Sequence, residues 1–193
     1  MLPIIILALV ASVTADVFVE SQCPETKPVE NFNFTSFGQG TWYEIGLYPN
    51  SAEKMAECAR EEYELQGDTF NVRNVHITNN KLVTVEGFAK FADNAGNTGK
   101  LLYTVRDGPF GSETKSIMDI LAIDYKNYAI GYICKYDEAK KRRQDFVWVV
   151  SRTKTLDDTL MTTIENFIKE STILDFSKFI WPDFTNVACE VDA

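Results

Sequence analysis

The sequence predicts an all-β fold, an eight-stranded antiparallel up-and-down β-barrel with one C-terminal α-helix packed outside it. Three observations predict this fold. First, eight short β-like runs alternate with turn signals, and no repeat or Pro/Gly-rich linker divides them. Second, the hydrophobic period changes to that of a helix after the eighth run. Third, eight antiparallel strands can avoid exposed edges by closing on themselves.

The runs have the alternating or continuous apolar pattern of strands, and the segments between them favour turns. The predicted strands are Thr41–Tyr48, Cys58–Leu65, Phe70–Ile77, Leu82–Phe91, Lys100–Arg106, Ser116–Ile123, Tyr128–Lys135 and Asp145–Arg152. Gln66-Gly67-Asp68 and Asp107-Gly108-Pro109 are typical turn sequences, because Gly tolerates positive φ, Asp bonds its own backbone and Pro fixes φ.

One amphipathic helix follows the eighth strand. Its apolar residues share one helical face, and they are Leu156, Leu160, Ile164, Phe167 and Ile168. Thr155 followed by Asp158 resembles a capping box that begins this helix. The apolar face must lie on the outside of the sheet. A final extended segment, Phe176–Trp181, is predicted before Cys189.

The N-terminal stretch MLPIIILALVASVTA is apolar, and the first charged residue is Asp16. It is too short to span a bilayer and ends in the small residues Val13-Thr14-Ala15, which is typical of a secretory signal peptide. A membrane anchor is the alternative that this length disfavours. We therefore expect residues 1–15 to be a signal peptide and residues 16–193 to form a single domain that is secreted into an extracellular body fluid.

The net charge of −9 argues against nucleic acid and anionic membrane surfaces as partners. No later stretch is apolar enough to span a membrane. The charge suits a soluble extracellular protein, and the sequence leaves open whether it is a monomer or a small homo-oligomer.

The cysteines are Cys23, Cys58, Cys134 and Cys189. An even number in a secreted chain predicts disulfides, with three possible connectivities. No CxxC pair is present, so a zinc site is not expected. Asn33-Phe34-Thr35 is an N-x-[ST] sequon, which makes Asn33 a predicted glycosylation site.

The barrel interior is predicted to be a lined cavity rather than a packed core. An eight-stranded barrel has room for its own side chains or for one small ligand. Asn74 and His76 share one strand face, as do Val83, Val85 and Gly87. Such a mixture of polar and small residues is more typical of a cavity lining than of a filled interior.

Several motifs, taken together, identify a resemblance. They are the Cys-Pro at Cys23, the Gly40-x-Trp42 motif with Tyr43-Glu44, YPNSAEK at Tyr48–Lys54, DYKNYAIGYICKYDE at Asp124–Glu138 and QDFVWVVSR at Gln144–Arg152. With these motifs the chain resembles the lipocalins, and within them the bilin-binding proteins and insecticyanins of moths and butterflies. The resemblance covers all of residues 16–193.

The resemblance implies structural roles for particular residues. Gly40, Trp42 and Arg152 form the family's structural motif, in which the Trp closes the narrow end of the barrel and the Arg packs across its ring. The resemblance also selects one disulfide connectivity, Cys23–Cys134 with Cys58–Cys189.

The resemblance further implies a ligand. The chain is expected to carry a small hydrophobic molecule non-covalently, with a biliverdin-type tetrapyrrole as the first choice and no catalytic cofactor. The residues matched to the family's cavity are Asn50, Glu53, Asn74, His76, Val85, Ser116, Met118, Ile133, Lys135, Phe146 and Trp148. Aromatic rings among them suit a flat conjugated ligand, amide and imidazole suit pyrrole or lactam groups, and Lys135 can neutralise a propionate.

Alternative functions differ in the cargo or in the class of protein. The same carrier could take a fatty acid, retinoid, sterol or carotenoid. A lipocalin with acquired enzymatic activity is the second alternative, and a binding protein whose barrel is filled is the third. Catalysis is not expected, because His76 is the only histidine and no nucleophile motif accompanies it.

Other charged residues are interpreted as structural. A metal site is not expected, because one His with all Cys paired leaves only carboxylates as further ligands. Glu61-Glu62 is interpreted as solvated strand surface rather than an acid pair. The basic run Lys140-Lys141-Arg142-Arg143 is interpreted as a solvated hairpin turn rather than a docking patch.

Overall fold

The computed structural model describes residues 16–51, 57–107, 112–184 and 189. The predicted signal peptide, residues 1–15, lies outside the described residues, and so does Glu53. Of the helices found in these ranges, none combines the length and the apolar character needed to cross a membrane.

Nine antiparallel strands form one sheet in the described part of the chain, and eight of them close into a barrel. The strands are β1 (Phe18–Val19), β2 (Gly40–Leu47), β3 (Glu57–Gln66), β4 (Thr69–Thr78), β5 (Lys81–Phe91), β6 (Lys100–Asp107), β7 (Ser112–Asp124), β8 (Tyr128–Asp137) and β9 (Arg142–Ser151). Each strand from β2 to β8 pairs with the next, and β9 pairs back with β2 from Tyr43↔Ser151 to Leu47↔Trp148. The predicted up-and-down barrel is confirmed.

Strand β7 is the one whose predicted start differs most, since it begins at Ser112 rather than Ser116. Glu113, Thr114 and Lys115 are polar and exposed, so they carry no apolar alternation. They nevertheless pair with β6 from Arg106↔Glu113 to Thr104↔Lys115, because the two strands extend together toward the open end of the barrel.

The structure also contains β1 and a four-residue helix, α1 (Phe34–Phe37), which the sequence did not predict. β1 pairs with β9 through Phe18↔Gln144. Helix α1 is capped by Asn33, whose Oδ1 accepts a hydrogen bond from Ser36 N at 2.9 Å. Both elements are too short to produce a recognisable hydrophobic period.

The basic run on the β8–β9 hairpin is not uniformly solvated. The guanidinium of Arg142 lies over the Phe18 ring, 3.8 Å from its centroid, and Arg143 pairs with Asp145 at 2.8 Å. Lys140 and Lys141 are exposed, as predicted. The solvated interpretation is therefore wrong for the two arginines, which fasten the N-terminal segment to β9.

Helix α2 (Asp158–Glu170) packs on the outside of the barrel, as predicted. Its buried residues Ile164 and Ile168 belong to the same apolar cluster as Ile130, Val147 and Val149. The strand residues of this cluster alternate with positions that face the barrel interior, so they point outward. An outer core thus lies between the helix and strands β8 and β9.

The predicted cap of α2 is wrong. Asp157, not Thr155, is the N-cap, since its Oδ1 accepts a hydrogen bond from Leu160 N at 2.9 Å. A carboxylate at this position also faces the positive end of the helix dipole. Thr155 lies outside the helix, and its carbonyl accepts a hydrogen bond from Thr153 Oγ1.

The segment Phe176–Trp181 is only partly extended, which corrects the prediction. Phe176–Lys178 forms a 3₁₀ turn capped by Asp175, and Ile180 then pairs with Leu47 through backbone hydrogen bonds. Trp181 lies so close to Gly46 that a Cβ there would be 2.6 Å from its ring. A side chain at position 46 would therefore displace the Trp181 ring from the barrel wall.

Both disulfides have the connectivity implied by the resemblance. Cys23 is bonded to Cys134 of β8, and Cys58 of β3 is bonded to Cys189. Each bridge joins a barrel strand to a segment outside the barrel. All four cysteines of the chain are therefore paired.

The end of the barrel where β2 begins is closed by aromatic side chains. Trp42 is fully buried, and its Nε1 donates to the carbonyl of Phe37 at 3.0 Å, so α1 covers this end. Further large aromatic residues of this inner core include Phe32, Phe34, Phe37, Tyr63, Phe70, Phe91 and Tyr103. These rings form the floor of the interior.

Arg152 seals the floor from outside. Its guanidinium carbon lies 3.5 Å from the centroid of the Trp42 ring, which is the contact that the resemblance implied. The guanidinium donates to four backbone carbonyls, at 2.7 to 3.3 Å; they belong to Ser36, Gln39, Thr41 and Tyr125. Gly40 approaches this group with φ of +72°, a conformation that favours glycine.

We expect Arg152→Met to lower the free energy of unfolding by about 2–4 kcal/mol, because it removes a cation–π contact and several charged hydrogen bonds. Urea denaturation followed by tryptophan fluorescence measures this change. Arg106→Met is the matched control, since Arg106 is 59% exposed and 6.0 Å from the Phe88 ring. Equal losses in the two variants would contradict the role assigned to Arg152.

Candidate functional site

A cavity of about 430 Å³ lies inside the barrel above the aromatic floor. Its volume is within the range of pockets that bind small organic ligands. The lining comes from all eight barrel strands, because inward-facing positions alternate along each of them. Phe37 of α1 and Tyr63 of β3 are shared with the floor.

The structure brings together every predicted cavity residue that it describes. These residues are Asn50, Asn74, His76, Val85, Ser116, Met118, Ile133, Lys135, Phe146 and Trp148. Glu53, the remaining one, lies outside the described residues. The predicted positions therefore share one cavity.

Two aromatic rings form one wall of the cavity. Phe146 and Trp148 occupy successive inward positions on β9, with ring centroids 6.1 Å apart and planes inclined by 13°. Lys135 of β8 places its Nζ 5.2 Å from the Phe146 ring. The wall thus carries two nearly parallel aromatic rings with one cation next to the Phe146 ring.

A polar cluster on the wall formed by β2, β3 and β4 is centred on Asn74. Its Nδ2 donates to Glu44 Oε1 at 2.8 Å and to Glu61 Oε1 at 2.9 Å. Its Oδ1 lies 2.6 Å from Nδ1 of His76. Glu44 is only 2% exposed, so a carboxyl group lies deep within the barrel.

His76 is half-buried, and this burial lowers its pKa below the usual 6.5. The imidazole is therefore neutral at physiological pH. It is hydrogen-bonded to an amide rather than to a carboxylate and a hydroxyl, so the arrangement differs from that of a catalytic triad.

Two buried tyrosines lie at the base of the cavity. The hydroxyls of Tyr63 and Tyr103 are 2.8 Å apart and hydrogen-bonded to each other. Burial raises the pKa of both hydroxyls well above the usual value, so they stay neutral. They give the floor a polar surface that carries no charge.

The sequence analysis missed several lining residues. The cavity is also lined by Glu44, Glu61, Tyr63, Val72, Glu86, Gly87, Tyr103, Val105, Thr114, Ile120, Ala129, Gly131 and Val150. The interpretation of Glu61 as solvated surface is wrong, whereas Glu62 does face outward and pairs with Arg60 and Arg73. The sequence did contain a signal for Glu61. It lies two positions before Tyr63 on the same strand, so both side chains point to the same face, and an aromatic residue is expected inside.

Metal ligation has no support within the described ranges. In them no three His, Cys, Asp or Glu side chains are grouped so as to hold a metal ion. What the cavity offers is a pair of nearly parallel aromatic rings, a polar cluster and an apolar remainder. Such a surface can bind a molecule by burial, stacking and hydrogen bonding.

Comparisons with known proteins agree with this geometry. The model of the lipocalin / cytosolic fatty-acid binding protein family matches residues 39–184. The "Bilin-binding protein" of Pieris brassicae is 40% identical over 98% of this chain and 98% of its own. "Insecticyanin-B" of Manduca sexta is 34% identical over 96% of this chain and 90% of its own.

A solved structure gives the same result. Insecticyanin from the tobacco hornworm, Manduca sexta, superposes with a TM-score of 0.83 at 34% identity, covering 91% of this chain and 93% of the other. The sequence matches and the barrel agree over nearly the whole described chain. The chain belongs to the lipocalin family.

Proposed function

We propose that this protein is a carrier that binds a small, flat, mostly apolar molecule non-covalently in the barrel cavity, and that this molecule is a biliverdin-type tetrapyrrole. The observation that carries the proposal is a cavity with a stacked aromatic wall above a sealed floor. Burial of apolar ligand surface supplies about 25 cal/mol per Å² of driving force. The name of the Pieris relative, which describes bilin binding, supports the choice of pigment.

The proposed ligand-binding residues divide by chemistry. Phe146 and Trp148 stack on the conjugated system, and Lys135 at the open end neutralises a propionate. The remaining proposed contacts are Asn50, Glu53, Asn74, His76, Val85, Ser116, Met118 and Ile133. Their amide, imidazole and hydroxyl groups orient the polar edges of the ligand.

The binding that we propose is non-covalent and without a reaction. All four cysteines are paired, so no thiol remains for a thioether link to the pigment. His76 is held by Asn74 and not by a nucleophile–carboxylate pair. A carrier is therefore a better description of this site than an enzyme.

We propose further that the protein is secreted and glycosylated at Asn33. Two disulfides suit an oxidising compartment. Asn33 and Thr35 of the sequon are exposed, although the Asn33 Oδ1 also caps α1. A glycan mass on the secreted protein that disappears in Asn33→Gln would support this part of the proposal.

The cargo can be identified directly. We expect the native protein to show a visible absorption band in the red, and denaturation to release a tetrapyrrole whose mass is read by mass spectrometry. A colourless protein that releases a fatty acid, retinoid or sterol would contradict the pigment but keep the carrier. A protein that releases nothing and does not bind added biliverdin would contradict both.

The aromatic wall can be tested by substitution. We expect Trp148→Ala to weaken biliverdin binding about tenfold or more, because stacking and buried area are lost together. Titration of the absorption band measures the dissociation constant. Phe18→Ala is the control, since Phe18 lies on the outside of the barrel and is 42% exposed. Unchanged affinity in Trp148→Ala would rule out the stacking role.

A further inference from the structure

The half of β2 that lies toward the open end of the barrel is not paired with β3. Among the residues that the structure describes, the ladder between these strands runs only from Gly40↔Tyr63 to Tyr43↔Arg60. The register of β2 against β9 then shifts at Ile45, as in a β-bulge, and a bulge bends the strand that contains it. This edge of the barrel wall therefore needs another partner.

The C-terminal segment takes the place of β3 along this edge. The backbone of Ile180 exchanges two hydrogen bonds with Leu47, at 3.0 and 2.9 Å. Leu47 is in turn the direct cross-strand partner of Trp148, and Trp148 pairs with Gly131 on β8. One row of backbone pairing therefore connects the C-terminal segment to the cavity wall that carries Trp148.

Aromatic rings fasten this segment to β2 from the outside, and we name Phe179, Ile180 and Trp181 the β2 clamp. The Trp181 ring covers Gly46 so closely that an added Cβ would lie 2.6 Å from it. The φ of Gly46 is not in the left-handed region, so the ring and not the backbone requires glycine here. Trp181 also stacks on Phe179, with ring centroids 5.5 Å apart.

Tyr48, the residue after β2, connects the clamp to β9. Its hydroxyl donates to the backbone carbonyl of Asp175 at 3.2 Å and accepts from the backbone N–H of Asp175 at 2.6 Å. Its own N–H donates to the carbonyl of Val147, the residue before Trp148, at 2.9 Å. Its ring also meets that of Phe179, with centroids 4.7 Å apart. The clamp, the end of β2 and this part of β9 are thus one connected unit.

We propose that Trp181 is a positioning residue for ligand binding, because it holds β2 in place beside Trp148 and so fixes the ring that meets the ligand. The inference rests on the proposed function and adds to it a residue outside the cavity. Trp181 does not line the cavity, so it acts only through β2. A purely structural Trp181 would contribute to stability without affecting affinity.

The test is a double-mutant cycle that is read by the affinity for biliverdin. We expect Trp181→Ala and Gly46→Ala each to weaken binding about fivefold, because each separates the indole from β2. In the double variant the added methyl group fits the space that the indole leaves, so we expect no further loss. Losses that simply multiply would contradict the role of this contact.

Two further variants control the cycle. Ile180→Ala is the matched control, because this side chain is 41% exposed and the backbone bonds to Leu47 are retained. Trp181→Phe is the conservative variant, and we expect its ring to preserve most of the wild-type affinity. Wild-type affinity in Trp181→Ala, or an equal loss in Ile180→Ala, would overturn the inference while the carrier function stands.

A second measurement does not depend on a ligand. The chain has three tryptophans, so Trp181→Ala and Trp181→Phe both retain only Trp42 and Trp148. Because Trp42 is fully buried, a difference in acrylamide quenching between the two variants reports on Trp148. We expect stronger quenching in Trp181→Ala than in Trp181→Phe. Equal quenching would show that the clamp does not hold Trp148.

A third comparison separates positioning from a general loss of stability. Ile168→Ala removes a fully buried side chain from the same outer core, on helix α2 rather than in the clamp. We expect it to lower the free energy of unfolding, as Trp181→Ala does, but to leave the affinity for biliverdin unchanged. An equal loss of affinity would reduce Trp181 to a structural residue.

The pigment and the positioning role can fail separately. If the wild type does not bind biliverdin, the proposed cargo is wrong, and the same cycle is read with 8-anilinonaphthalene-1-sulfonate, an aromatic probe that is not a bilin. The positioning role then predicts the same pattern of losses for this probe. Equal affinity of all the variants for it would overturn the inference.

Discussion

The contact between Arg152 and Trp42 is the constraint on which the rest of the structure depends. A closed cylinder of strands has two open ends, and here one of them is filled by an indole with a guanidinium on its outer side. Four backbone carbonyls from two separate segments, residues 36–41 and Tyr125, converge on that guanidinium. The floor is therefore rigid without placing an unpaired charge in the cavity, and the opposite end of the barrel can remain hollow.

A hollow barrel lacks a packed centre, so its stability must come from other apolar contacts. In this chain those contacts form two separate cores. Aromatic rings fill the interior near the floor, and α2 with the C-terminal segment covers the outside of β8 and β9. The last two strands are apolar on both faces because they serve both cores. Packing that a filled barrel would have at its centre is replaced by packing around its outer surface, and the cavity is kept for a ligand.

The sequence predicted the barrel, its strand order and the outer helix because long alternating segments determine them. It predicted disulfides but left three connectivities open, and the resemblance to the lipocalins selected the one that the structure contains. It did not predict β1 or α1, which are too short for a period, or the 3₁₀ turn at Phe176, which one local cap creates. The cap of α2 was misplaced by two residues, since Asp157 and Thr155 are both good cap formers. Glu61 was missed because a charged residue is normally assigned to the surface; in the structure its inward position is supported by the hydrogen bond from Asn74.

The placement of the disulfides has a consequence for how this scaffold can vary. Each bridge bonds a terminal segment to a barrel strand. Cys23 in the N-terminal segment is bonded to β8, and Cys189 in the C-terminal segment is bonded to β3. Neither bridge joins one barrel strand to another; near the open rim, Cys58 of β3 and Cys134 of β8 are each bonded to a segment outside the barrel. Apart from these two cysteines, residues at the rim can therefore be exchanged for others without breaking a cross-link, which makes this architecture adaptable to cargoes of different shape.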